Sequence, residues 1–348
     1  MCRRHSDGRK RTGGPRHRDA QIVEGFAGAG GWSLGLRLAG YAGRAIGIEL
    51  DPDACATASA AGHDRIQADV ATIDLTGFGK VDGLIMSPPC ESWSPAGKRR
   101  GERDRDAVLS RMAAFARGRV PDVYDWADNR SALTAEPLRY ARALGPRWIA
   151  LEQVPQVLPI WQHAAALLRE LAYNVWCGIL SAERYGVPQT RKRAVLIARR
   201  DGIPALPPAP TFEECRAGHR SRTDADLFGT TLQKPSTMAR ALGWDRSRNR
   251  AGIADWVYER PATTVQGTGR IGRPGHKDRA GGESQFGKDS VNVTVSEAGI
   301  LQGFPPDYPW HGSKTAQHRQ IGGAVPPPLA AAILAQLVPP TRSAGDLA

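Results

Sequence analysis

Cysteine is scarce in this chain. Its 348 residues hold five, Cys2, Cys55, Cys90, Cys177 and Cys215. The number is odd, the spacing is irregular and no Cys-x-x-Cys pair occurs. Neither a disulfide framework nor a zinc site is indicated, and a reducing cytoplasm suits the chain. No apolar run approaches the ~20 residues of a membrane-spanning helix, and the N-terminus lacks the apolar stretch of a signal peptide. The Gly-Lys-Ser/Thr of a phosphate-binding P-loop is missing, which speaks against ATP chemistry. No metal-ligand cluster is apparent, so no metal is expected.

What is present is ordinary globular composition, 41% hydrophobic and 24% charged, enough for one large domain or a large one with a small companion. The net charge is +12 and the pI about 9.9. Such a balance points to a polyanionic partner, most often nucleic acid. Residues 1–20 carry seven Lys/Arg against two acids without periodicity and read as a basic flexible tail. The charge left over is modest, and abundant Arg and Ala also follow from genome base composition.

The stretch Val81–Cys90 organises the rest. Leu84-Ile85-Met86 is apolar without alternation, as a buried strand of a parallel sheet requires. Ser87-Pro88-Pro89 stops it, because proline has no N–H for a ladder and restricts the residue before it. Cys90 is thereby presented just past a strand's C-terminal end, the edge at which open α/β sheets bind ligands. Two readings stand at this point: a nucleophile, or a small buried hydrophobe.

Upstream, a strand at residues 21–24 runs into Phe26-Ala27-Gly28-Ala29-Gly30-Gly31 and a helical segment from Trp32. Strand, glycine-rich turn and helix form a nucleotide-binding arrangement. A second strand, Arg44–Leu50, carries Glu49 about twenty residues later, where a carboxylate accepts from ribose hydroxyls. Asp51 before Pro52 suits a helix cap. Asp69 follows a third short strand. Three junctions bearing Gly, Glu and Asp suit an adenosine; NAD stays open on this stretch alone.

Residues 91–130 read as a mobile connector, basic at Lys98-Arg99-Arg100, with a helix over Asp106–Arg117. A helix over Leu133–Leu144 ends at Gly145-Pro146, and a strand Arg147–Leu151 delivers Glu152-Gln153-Val154. A further helix, Ile160–Ala172, and strand, Tyr173–Leu180, lead to Gln189-Thr190-Arg191-Lys192-Arg193 and a strand over Ala194–Ala198. Arg191 and Arg193, two apart, face one side of an extended segment. Residues 201–290 lose the βα rhythm and become rich in Pro, Gly, Arg and Thr, with Thr263-Thr264-Val265 as one short strand. A helix over Ser296–Leu301 and another over Pro328–Leu337 return to the large domain.

In this order the blocks resemble the DNA cytosine-5 methyltransferases of bacterial or phage type, over roughly residues 20–338. They are Phe26–Gly31, Glu49, Asp69, Pro88-Pro89-Cys90, Glu152-Gln153-Val154, Gln189–Arg193, Leu301-Gln302-Gly303-Phe304-Pro305 and Gly322-Gly323-Ala324-Val325-Pro326. The chain departs from the family at four places. Glu24-Gly25 stands for Asp-Leu, Gln153 for Asn and Gly323 for Asn, and Val291-Asn292 lies where an Arg is common.

The resemblance implies an α/β fold: a Rossmann-like S-adenosylmethionine-dependent domain with a mixed, mostly parallel sheet, and a smaller irregular target-recognition domain. The implied divisions are a tail 1–20, a catalytic domain 21–200, a target-recognition domain 201–290, a return segment and hinge 291–340, and a tail 341–348. Cys90 is then the nucleophile that adds to cytosine C6. Glu152, its pKa raised by burial, serves N3 and the 4-amino group. Arg193 holds O2, and Arg191 a phosphate or the Cys90 loop. The cofactor, released as S-adenosylhomocysteine, would meet Phe26, Ala27, Gly28, Gly30, Glu49, Leu50, Asp69, Pro88, Leu133 and Val325. Double-stranded DNA, its target base flipped out, would meet Ser92, Lys98, Arg99, Gln189, Arg248 and Arg270. The same resemblance implies a cytoplasmic monomer that serves restriction-modification, with a cognate endonuclease as companion, or protection of phage or host DNA. An RNA (tRNA) cytosine-5 methyltransferase, a catalytically silent DNA-binding paralogue and a dehydrogenase are the competing readings.

Overall fold

The computed structural model describes residues 22–94, 100–215, 232–245, 254–273 and 290–338. Lys98, Arg99, Arg248 and both tails lie outside the described residues. A seven-stranded sheet forms the centre. In chain order its strands are β1 (Ile22–Gly25), β2 (Ala45–Glu49), β3 (Asp64–Gln67), β4 (Gly83–Met86), β5 (Trp148–Gln153), β6 (Asn174–Ser181) and, after the short β7 (Gln189–Thr190), β8 (Lys192–Arg199). The spatial order is β3-β2-β1-β4-β5-β8-β6. The first five strands are mutually parallel, and β8 runs antiparallel to both β5 and β6.

Both faces of the sheet are covered, which explains the unalternating strands. Leu84 and Met86 of β4 enter one core, with α3 (Gly101–Ala116), α4 (Glu136–Leu144) and α5 (Leu158–Glu170) packed on it. Ile85 between them enters the other, under α1 (Gly31–Leu38) and α10 (Pro327–Leu334). Alternate residues of one strand point to opposite faces, so a strand buried on both sides must be apolar throughout. Helix α1 lies close on α10: a Cβ on Gly35 would stand 2.5 Å from the Ala330 Cβ.

Local chemistry sets the ends of several elements. The Asp51 carboxylate accepts from the Asp53 N–H at 3.0 Å and caps α2 (Pro52–Ala60). Gly145, at φ 55°, ends α4 in the left-handed conformation that glycine tolerates. Where the structure differs from expectation, long-range packing or proline decides. The helix expected from Leu133 begins as a 3-10 segment, Asn129–Ala135, and becomes α-helical only at Glu136, just before Pro137. Strand β5 continues through Glu152 and Gln153 because β8 pairs it to its end. The segment after Cys90, expected as a mobile connector, begins as a turn in which the Cys90 carbonyl accepts from the Trp93 and Ser94 N–H groups. Trp93 is fully buried, and its indole donates to the Thr134 hydroxyl at 2.9 Å.

A third core belongs to a smaller unit. It joins α6 (Met238–Leu242), α7 (Trp256–Glu259), β9 (Ala262–Thr263), β10 (Arg270–Ile271) and β11 (Val291–Asn292) with α8 (Val295–Gln302) and Ile321 of α9 (Lys314–Gly323). Parallel pairing of β7 with β9 ties this unit to the large one. Among the described residues, no helix is long and apolar enough to cross a membrane.

Candidate active site

The parallel strands end together, so Gly25, Glu49, Gln67, Met86 and Gln153 share one edge of the sheet. The antiparallel β8 begins at that edge, since Ala194 pairs with Gln153. A sheet edge thus gathers residues from six strand termini that are distant in sequence.

The glycine turn occupies one half of the edge. Phe26 (φ 57°), Gly28 (φ 51°) and Gly30 (φ 108°) all adopt positive φ. For Phe26 this is an uncommon conformation that its surroundings must enforce. The Glu49 carboxylate faces the turn: Oε2 accepts from the Gly28 N–H at 2.8 Å, and Oε1 from the Leu50 and Asp51 N–H groups, each at 2.8 Å. A carboxylate offers about four lone-pair sites, so acceptor capacity remains for a ligand hydroxyl. Leu50 beside it is 63% exposed. Asp69 is exposed, and its Oδ1 accepts from the Ala71 N–H at 2.8 Å. A Cβ on Gly28 would meet nothing within 4 Å, which leaves open space above the turn. An open glycine turn flanked by an aromatic, an exposed leucine and two carboxylates fits an adenosyl amino acid such as S-adenosylmethionine. Val325 lies behind the turn: its side chain is in the second core and its carbonyl abuts Gly31. Leu133 is half-buried in the 3-10 segment.

The other half carries Cys90. Pro88 is buried and Cys90 half-buried. Gln153 Nε2 donates to the Pro88 carbonyl at 2.7 Å and the Pro89 carbonyl at 3.1 Å, so the amide that departs from the family's Asn fastens this loop. The Ser87 hydroxyl accepts from the Trp32 indole at 2.9 Å, linking the same loop to α1. Glu152 Oε1 accepts from Arg193 Nε at 2.8 Å, and the two side chains are 7% and 10% exposed. Glu152 is therefore one half of an ion pair rather than an isolated buried acid. Burial pushes the Cys90 thiol up, reinforced by Glu91 and Glu152 and opposed by Arg193 and Arg191. Cys90, Glu152, Arg193 and Arg191 thus form one electrostatic neighbourhood.

Arg191 plays a different part from the one expected. Nη1 donates to the Val265 carbonyl at 3.2 Å, and Nη2 to those of Gly322 at 2.9 Å and Ala324 at 3.3 Å. The guanidinium joins the large and small units, in place of a phosphate or the Cys90 loop. Burial and Arg193 lower its pKa to about 9. Gln189 needs a clearer correction. It is fully buried; its amide donates to the Leu301 carbonyl at 2.9 Å and Gln302 Oε1 at 2.6 Å, and accepts from the Val265 N–H at 2.9 Å. It is a tie between units, not a DNA contact. Ser92 is 1% exposed, and that burial removes it from a DNA surface too. Arg270 is half-buried on β10 and donates to the Ser290 hydroxyl at 2.6 Å.

Sequence reasoning missed Arg130. Its guanidinium makes a two-pronged pair with Asp128, at 2.9 and 2.7 Å, and it feels the charges of Asp128, Glu91 and Cys90. The Asp-x-Arg spacing in Asp128-Asn129-Arg130 was the available signal. Among the described residues, no group of His, Cys, Asp and Glu is placed to hold a metal ion.

The sequence model of C-5 cytosine-specific DNA methylases matches residues 20–121 and 124–339. The chain is 28% identical to the Type II methyltransferase M1.HphI of Haemophilus parahaemolyticus, over 88% of this chain and 84% of that protein. It is 28% identical to the Type II methyltransferase M.NgoMIV of Neisseria gonorrhoeae, over 90% of this chain and 95% of that one. Among solved structures, Spodoptera frugiperda DNMT2 matches with a TM-score of 0.60 at 16% identity, over 91% of this chain and 99% of that chain. S. pombe Dnmt2 matches with a TM-score of 0.57 at 18% identity, over 91% of this chain and 97% of that chain. These two likenesses speak for the fold. With the family match spanning nearly the whole described chain, from the glycine turn to Val325, the protein belongs to the C-5 cytosine-specific DNA methylases.

Proposed function

We propose that this enzyme methylates C5 of a cytosine in a specific duplex DNA site, through covalent addition of Cys90 to C6. The observation that carries the reading is the Glu152–Arg193 pair at 2.8 Å, standing in the electrostatic neighbourhood of the Cys90 thiol. A cytosine is an amidine-like ring with N3, O2 and a 4-amino group on one edge. A carboxyl beside a guanidinium complements that edge, and a thiol on the neighbouring loop is the nucleophile. The base must leave the duplex to reach them.

Cytosine C5 is a weak nucleophile. Attack of the Cys90 sulfur forms the S–C6 bond and moves an electron pair toward C5 and N3. Glu152 carries the proton at N3 and accepts from the 4-amino group; Arg193 faces O2. S-adenosylmethionine, when bound, supplies an electrophilic methyl group. Methyl transfer to C5 releases S-adenosylhomocysteine; solvent water then takes the C5 proton, the C–H electron pair re-forms the C5–C6 double bond, and the Cys90 thiolate leaves. Phe26 and Leu50 flank the adenine, Glu49 takes the ribose hydroxyls and Asp69 the amino group. The smaller unit, Arg270 included, reads the site, and the chain acts as a monomer. The Type II names of its relatives support a restriction-modification role beside a cognate endonuclease.

The test is transfer of labelled methyl from S-adenosylmethionine to DNA and to RNA. Trapping on 5-fluorocytosine DNA and sequencing of the modified site accompany it. DNA label and a trapped complex are expected in the intact chain, and neither with Cys90→Ala, whose cofactor affinity stays within a few fold. Label in RNA alone, or turnover without Cys90, overturns the reading.

A further inference from the structure

The glycine turn is also held from behind. Arg65 on β3 donates Nη2 to the Ala27 carbonyl at 3.4 Å and Nε to the Gly28 carbonyl at 3.3 Å. The Tyr308 hydroxyl donates to the Ala29 carbonyl at 2.6 Å. Three successive carbonyls of the turn are therefore occupied by protein donors. Gly28 is gripped twice, since its N–H donates to Glu49 and its carbonyl accepts from Arg65.

Arg65 acts from inside the protein. Its side chain is 2% exposed, and Glu24 Oε2, on a side chain 1% exposed, lies 4.0 Å away. The Ser33 hydroxyl bridges them, accepting from Arg65 Nη2 at 3.1 Å and donating to Glu24 Oε2 at 2.6 Å. Glu24 Oε1 has no hydrogen-bond partner. Burial raises the Glu24 carboxyl, while Arg65 and Ser33 oppose that rise. Burial, Arg37 and Arg65 hold the nearby His63 at about 3, so His63 adds no charge. Gly47 of β2 makes room for the guanidinium: a Cβ there would stand 2.4 Å from Arg65 Nη1 and 2.7 Å from the Ala27 Cβ.

We infer that Arg65, balanced by Glu24 and Ser33, is a positioning residue that sets the conformation of the Phe26–Gly30 turn and thereby the affinity for S-adenosylmethionine, without touching that cofactor. The inference rests on assigning the turn to that cofactor. A non-glycine residue at φ 57° persists only where its surroundings over-determine it. A planar guanidinium can span two adjacent carbonyls and a hydroxyl at once; an ammonium cannot. The arrangement also gives the Glu24-Gly25 departure a role, because Glu24 is the carboxylate that both Ser33 and Arg65 reach.

The experiment is calorimetric titration of S-adenosylmethionine into the full chain and its variants, with steady-state methylation, DNA binding and melting temperature measured in parallel. Arg65→Lys raises the cofactor Kd and KM about tenfold, the loss of charge-assisted hydrogen bonds. Its kcat at saturating cofactor and its DNA affinity stay near the parent values. The double variant Glu24→Gln/Arg65→Met removes both charges together, keeps the melting temperature and shows the same loss of cofactor affinity. An unchanged Kd in Arg65→Lys overturns the inference. So does recovery of the Kd in the double variant, or an equal loss of cofactor and DNA affinity. Failure of the parent chain to bind S-adenosylmethionine instead overturns the cofactor assignment, which separates the two outcomes.

Discussion

Gln153 holds the loop that carries Cys90: its one amide nitrogen bridges the carbonyls of Pro88 and Pro89, at 2.7 and 3.1 Å. The side-chain oxygen accepts from the Val154 N–H at 2.5 Å, so both ends of the amide are committed. Gln153 is 2% exposed, and water does not replace what it supplies.

Gln153→Ala leaves the buried Pro88 carbonyl and the half-buried Pro89 carbonyl without this donor, at a cost of about 1–3 kcal/mol for the buried one. The expected result is a lower melting temperature and a kcat at least tenfold below the parent, with cofactor affinity retained. Gln153→Asn keeps the amide but shortens its stem by one methylene, and should recover melting temperature more than kcat. Equal recovery of both would reduce Gln153 to a packing residue.

The thiol itself offers a second measurement. Burial and the neighbouring carboxylates Glu91 and Glu152 raise Cys90 above the ordinary thiol value of 9.0. The thiolate is the reacting form. A raised pKa means less thiolate than an exposed cysteine holds at every pH below it. Alkylation of Cys90 by iodoacetamide, followed by mass spectrometry of its peptide, should be slow at pH 7 and still climbing past pH 9. A plateau below pH 8 would show a thiol activated before substrate arrives.

The Glu152–Arg193 pair predicts an asymmetric response to substitution. Both side chains are nine-tenths buried, and removing one partner of such a pair costs about 3–5 kcal/mol because the other charge is stranded. Glu152→Ala should lower stability as well as activity. Glu152→Gln keeps an acceptor for Arg193 Nε but cannot carry a proton at N3. It should lose kcat by a hundredfold or more, about 3 kcal/mol of barrier, while DNA affinity changes little. An equal fall in DNA affinity would move Glu152 out of the acid role.

Much of this site was legible because its signals are local. Glycines mark the left-handed turn, prolines stop the strand before Cys90, and Asp51 caps α2 as its place before Pro52 implies. Glu49 is found by its distance from the glycines. The hidden parts depend on partners far along the chain. Gln189 and Arg191 sit among basic residues that suggest nucleic acid. Their partners at Val265, Leu301, Gly322 and Ala324 belong to elements that only the folded chain brings near. Arg65 looks like a surface residue of a short edge strand until Gly47 and Ser33 are seen to make room for it. Burial of a polar group is a property of its neighbours, and no window of sequence around it reports those neighbours.

Arg191 gives the last prediction, since its guanidinium is committed to three carbonyls, those of Val265, Gly322 and Ala324. Arg191→Lys cannot reach Val265, Gly322 and Ala324 together, because one ammonium replaces a planar fork. The relative placement of the units should loosen while each core stays intact. DNA affinity should fall because the unit proposed to read the site is no longer held against the Cys90 edge. Cofactor affinity, which the proposed reading assigns to the glycine turn, should not. A phosphate-binding arginine behaves differently. Its loss would lower the slope of log affinity against log salt by about one, whereas loss of the staple weakens binding with the slope unchanged. Measuring DNA affinity over a salt series for the parent and Arg191→Lys therefore decides between the role seen here and the phosphate contact that the sequence suggests.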